Sequence, residues 1–152
     1  RRTEDNEMHR RMRCAGYRFH YCPEIRSFHA ARASLRGLLR QKWGNGLWVG
    51  RTMRVAPRCF APRHFIPALF VLALLVGAAL SCCGLPWPLY ALLCAYGALD
   101  VGFSVHAALH APIGRALCAV ALPFLFPSVH VVYGLGTLCG LLTMGSVVKQ
   151  KR

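Results

Sequence analysis

The chain has 152 residues, 55% of them hydrophobic, yet it carries 19 Lys+Arg against 5 Asp+Glu for a net charge of +14. A strongly basic globule normally has a polar surface, so this pairing excludes one soluble domain, and the apolar content excludes a disordered basic tail. Position resolves the conflict: residues 1–64 hold 15 Lys+Arg and 4 Asp+Glu, residues 65–148 only Arg115 and Asp100, and residues 149–152 three basic groups. The pattern is a basic, water-facing half joined to a nearly uncharged membrane half.

The first methionine is Met8, and the first long apolar run starts about sixty residues in, too late for a secretory leader. A segment as short as residues 1–64 buries only about 60% of its unfolded surface. The chain therefore reads as the C-terminal piece of a longer protein; the alternative is a complete small membrane protein. The eight cysteines contain no Cys-x-x-Cys pair, which fits neither a zinc site nor a secreted disulfide scaffold. They read as small buried hydrophobes.

Taken in chain order, residues 6–15 have helical character, with Met8 and Met12 on one face, arginines on the other, and Gly16 as the stop. Residues 17–22 alternate aromatic and polar side chains, the pattern of a half-buried strand ended by Pro23. Residues 25–29 suggest a second short extended stretch. Ser34 is a plausible N-cap for a basic amphipathic helix with Leu35, Leu38, Leu39, Trp43 and Leu47 along one stripe. Such a helix ahead of a membrane span reads as lying in the interface plane, and Gly44-Asn45-Gly46 breaks it or lets it bend. Its basic groups suit anionic membrane lipids or, alternatively, a phosphorylated ligand. Nucleic acid is not expected, since no reader motif is present.

Residues 65–85 are 21 in a row without Asp, Glu, Lys or Arg, enough to cross ~30 Å of hydrocarbon. Pro67 falls in the first turn, where it is tolerated, and residues 84–88 read as a tight turn. A second span covers residues 89–109. Residues 116–148 again lack charge, but as one helix they would run ~50 Å, so Pro123 and Pro127 are expected to break them. That leaves a span at residues 128–148 and a short piece before it, either interfacial, re-entrant or the start of a tilted helix. Three or four spans remain open. The basic residues before the first span place residues 1–64 in the cytoplasm.

Asp100 and His106 lie inside the second span, where ionisable groups are costly and often functional. Six positions apart, they do not share a helix face. They read as a relay or, more plainly, as polar groups packed between helices. Gly136-x-x-x-Gly140 suits close helix packing.

A resemblance gathers several of these segments. Thr3-Glu4-Asp5-Asn6-Glu7, Arg10-Arg11-Met12-Arg13-x-Ala15-Gly16-Tyr17-Arg18, Tyr21-x-Pro23, His29, Ser34-Leu35-Arg36 and Arg40-Gln41 resemble the C-terminal part of membrane-anchored family 2 glycosyltransferases, in the bacterial succinoglycan-type branch. Residues 130–142 resemble the last membrane segment of that branch. The resemblance implies an α/β fold at the start, the C-terminal edge of a GT-A catalytic domain (residues 1–33). An interface helix and linker (34–64), a transmembrane region (65–148) and a basic tail (149–152) would follow.

It also implies inverting transfer from a nucleotide-sugar donor to a glycan or lipid-linked acceptor at the inner (plasma) membrane. Asp5 would be the general base and Glu4 its neighbour, with Glu7 structural. Read from the residues alone, Glu4 and Asp5 are acids favoured by the helix dipole. Arg40, Gln41 and Trp43 would help close the site over the donor diphosphate, or else face lipid. Related processive synthases carry Gln-x-x-Arg-Trp; Arg40-Gln41-Lys42-Trp43 resembles the non-processive branch instead. A divalent metal, Mg or Mn, is expected for the family. Its Asp-x-Asp motif does not occur, since Asp5 and Asp100 are the only aspartates in the chain.

Overall fold

A computed structural model describes residues 4–28, 34–111 and 114–143. They form five α-helices in the order α1 (Glu4–Cys14), α2 (Leu35–Val55), α3 (Ile66–Cys82), α4 (Trp87–His110) and α5 (Arg115–Leu142), with short 3₁₀ turns at Pro57–Cys59 and Pro62–Phe65. No strand occurs among the described residues, which overturns the expected α/β start. Residues 17–22 run as irregular chain after α1, with Tyr17, Phe19 and Tyr21 exposed. Alternation marks a strand only where a neighbouring strand takes up the backbone N–H and C=O groups, and none is present here. Phe19 instead folds back on α1, edge-on to His9 at 4.9 Å and beneath the Arg13 guanidinium at 5.4 Å. Residues 25–28 are likewise irregular, while His29 lies outside the described residues.

The helix ends follow local chemistry. Gly16 takes φ +85°, and the N–H groups of Gly16 and Tyr17 return to the Arg13 and Met12 carbonyls, a left-handed stop available to glycine without strain. Ser34 caps α2, its hydroxyl oxygen accepting from the Gly37 N–H at 3.2 Å. Pro67 and Pro88 each sit in the first turn of their helix, where a missing N–H breaks no ladder bond.

Three helices are long and apolar enough to cross a membrane: α3 with the turn before it, α4 and α5. Their outward faces carry Leu75, Val76, Phe103, Leu117 and Val120, all exposed. Such a surface would aggregate in water but suits lipid, and the chain is a membrane protein. α3 and α4 form an antiparallel hairpin, because Gly77 meets Leu89 while Phe70 stacks on Tyr96 at 4.3 Å. The predicted break of the third run does not occur: α5 continues for 28 residues through Pro123 and Pro127. Each proline removes one donor, to the carbonyl four residues back, and membrane helices tolerate this where neighbouring helices and side chains support the backbone. At ~1.5 Å per residue α5 exceeds the hydrocarbon thickness and must tilt or protrude. Residues 116–127 are thus the first half of α5, and the described spans number three.

α2 also continues through Gly44-Asn45-Gly46, against the expectation of a break or bend. Its glycines are spent on packing. α2 lies parallel to the second half of α5 with the two backbones in direct contact. A Cβ on Gly46 would land on the Tyr133 carbonyl oxygen, one on Gly50 on that of Thr137, and one on Gly140 on that of Leu47. A Cβ on Gly136 would come within 2.6 Å of the Trp43 carbonyl oxygen. Two Gly-x-x-x-Gly pairs therefore face each other, one per helix. Glycine inside a helix costs about 1 kcal/mol against alanine, and the approach it permits returns dispersion contacts along the seam. Thr137 is sealed there, fully buried, its hydroxyl donating to the Tyr133 carbonyl at 3.0 Å. Gly134, two residues before this seam, takes the backbone of Pro67 on α3. α5 is thus the helix on which the others assemble.

Candidate functional site

Glu4 and Asp5 open α1, and Asp5 is exposed. Acids in the first turn face the positive end of the helix dipole. Glu7 pairs with Arg11 at 2.9 Å one turn on, an exposed contact of the kind that contributes about 0.3–0.5 kcal/mol. This is a structural role.

Beyond Asp5, α1 packs against the turns that precede α3. Between them lies a cleft of about 340 Å³ lined by Asn6, His9, Arg10, Arg13, Arg63 and His64, among others. Three guanidiniums and two imidazoles make it strongly cationic. His64 donates through Nδ1 to the Ala61 carbonyl at 2.9 Å, since that oxygen can only accept. Burial pushes the Cys59 thiol of this cleft up from its ordinary value, against the pull of Arg10.

Arg40 and Trp43 meet in a second, shallow cleft of about 920 Å³ on α2, together with Leu35, Arg36, Leu39 and Val132. Gln41, on the same helix, is not among the residues lining it. The structure therefore brings Arg40 and Trp43 together, whereas Asp5 lines neither this cleft nor the cationic one. Among the described residues no group of three or more His, Cys, Asp or Glu side chains is placed to hold a metal ion.

The third cleft lies within the membrane half. It has a volume of about 640 Å³ and opens among α3, α4 and α5. Asp100 lines it at 8% exposure, with Oδ1 lacking a hydrogen-bond partner; Ser104, one turn on, is 1% exposed and likewise unpartnered. Tyr96, one turn before Asp100, shares a 2.8 Å hydrogen bond with His130 Nδ1 of α5. His106 lines the same cleft although six positions separate it from Asp100, because the opening spans a wide arc of α4. An ionisable acid at mid-span costs roughly 2.5–3.5 kcal/mol, so its position asks for an explanation. Tyr96 and His130 were not singled out as a pair from sequence; the available signal was a polar side chain in each of two uncharged runs.

No family model, curated protein or solved structure matches the chain.

Proposed function

We propose that the chain is the membrane-anchored, acceptor-side part of a glycosyltransferase. In this reading it transfers a sugar from a nucleotide-sugar to a glycan or lipid-linked acceptor at the cytoplasmic face of the inner (plasma) membrane. Asp5 takes the proton of the acceptor hydroxyl as its oxygen attacks the anomeric carbon. The bond to the nucleoside diphosphate breaks with its electron pair, and the sugar centre inverts. A positioned carboxylate is needed because an alcohol is a weak nucleophile.

The observation that carries the reading is the placement of the resembling block. It folds as α1, with Asp5 free in its first turn and, from Asn6 onward, one wall of a cleft carrying Arg10, Arg13 and Arg63. Guanidinium forks match the oxygens of a diphosphate. α2 and three apolar helices follow, which keeps this edge at the membrane surface.

A second reading, a non-catalytic multi-pass membrane protein, is favoured by the separation of Asp5 from the cleft of Arg40 and Trp43. Membranes containing the full-length protein separate the two. The enzyme reading expects transfer of labelled sugar to a lipid-extractable or polymeric acceptor, and expects Arg10→Ala and Arg63→Ala each to raise the donor KM by about tenfold or more, a lost charged hydrogen bond being worth about 1.5–3 kcal/mol. Absence of transfer above membranes lacking the protein supports the second reading.

A further inference from the structure

The cleft among α3, α4 and α5 plays no part in the reading above. Its walls include Phe70, Tyr96, Phe103 and Phe126, with a single carboxylate, Asp100, set into them. Asp100 is more than nine-tenths buried and one of its oxygens has no partner among the described residues. Among the described residues Asp100 makes no ion pair. Arg115 is the one Lys or Arg in residues 65–148, and it stands at the start of α5 with its Nε–H donating to the Ala111 carbonyl. His130 has its Nδ1 engaged with Tyr96, and His106 makes no hydrogen bond to the carboxylate.

A buried acid set among aromatic side chains, with no ion pair among the described residues, is complementary to a cation from outside. Aromatic faces attract positive charge and reward its desolvation. The volume falls within the range of small-molecule sites, mostly apolar with a few placed polar groups. Phe103, a lining residue at 64% exposure, stands where the cleft meets the lipid-facing surface. A hard metal ion is a poor fit, because a single carboxylate offers too few oxygen ligands, and His106 and His130 do not join Asp100 in a metal-binding group among the described residues. We infer that this cleft binds lipophilic organic cations, compounds with an apolar body and one ammonium or other onium centre, with Asp100 as the counter-ion. The inference is independent of the glycosyl-transfer reading.

The test is equilibrium binding of labelled tetraphenylphosphonium to the purified full chain in detergent. Binding is expected to be saturable, to weaken by about tenfold or more in Asp100→Asn, and to survive in Asp100→Glu. Tetraphenylborate, of the same shape and opposite charge, is expected not to compete. Unchanged binding in Asp100→Asn, or equal competition by the borate, overturns the inference and leaves only an apolar crevice. Should Asp100→Asn fail to fold, carbodiimide labelling of Asp100 in the parent protein decides the matter. Tetraphenylphosphonium is expected to slow that labelling, and an unchanged rate overturns the inference.

Discussion

Under the proposed glycosyl transfer, replacing Asp5 by Asn is expected to reduce sugar transfer by about 10²–10⁴-fold, the range a positioned general base contributes, with donor affinity nearly unchanged. The two side chains have the same shape, but the amide cannot accept the hydroxyl proton. Asp5 is exposed and makes no ion pair among the described residues, so the substitution removes the proposed base without removing packing. Stability is therefore a control: the unfolding midpoint should move little. A mutant that loses both transfer and donor binding would point to a positioning role for Asp5. Turnover equal to that of the parent protein would remove Asp5 as the base.

The second large effect concerns the seam between α2 and α5. Gly140→Leu is expected to undock α2 and to cost about 3 kcal/mol or more, at or beyond the upper end of overpacking substitutions. Ordinary overpacking is relieved by rotating a neighbouring side chain. Here the obstacle is the Leu47 carbonyl oxygen, which belongs to the α2 backbone and cannot rotate away. Gly46→Leu should behave alike through the Tyr133 carbonyl, whereas a Cβ on Gly97 or Gly102 of α4 would meet nothing within 4 Å. Gly97→Leu is the matched control, expected to stay within about 0.5 kcal/mol of the parent, as surface substitutions do. Thermal unfolding in detergent reads the difference. Trypsin adds a local probe, because undocked α2 would open its backbone at Arg51 and Arg54 to cleavage.

How far these features could be read in advance depended on whether the relevant physics was local. The cap at Ser34, the stop at Gly16 and the proline in the first turn of α3 depend on a few neighbouring residues, and all are found where the sequence placed them. The aromatic alternation of residues 17–22 misled because a strand is a property of two segments and only one was available. Gly46, Pro123 and Pro127 misled for a related reason. Each weakens an isolated helix, yet each lies in a helix supported by others. Gly136 and Gly140 were legible as packing residues, but their partners Gly46 and Gly50 were hidden by the turn-like look of Gly44-Asn45-Gly46. For the candidate sites, Asp100 announced itself as a lone acid in an uncharged run. The aromatic walls around it come from three helices, so no single stretch of sequence displays them.

The proposed function rests on one arrangement, with residues 1–64 on the cytoplasmic side and α3 crossing the membrane directly after them. The native cysteines allow it to be measured, because Cys14 on α1 and Cys82 and Cys83 at the far end of α3 are exposed thiols. In variants retaining one cysteine at a time, a membrane-impermeant maleimide added to intact spheroplasts should label Cys82 or Cys83 and leave Cys14 untouched until the cells are opened. Labelling of Cys14 from outside, or of Cys14 and Cys82 from the same side, would contradict the account.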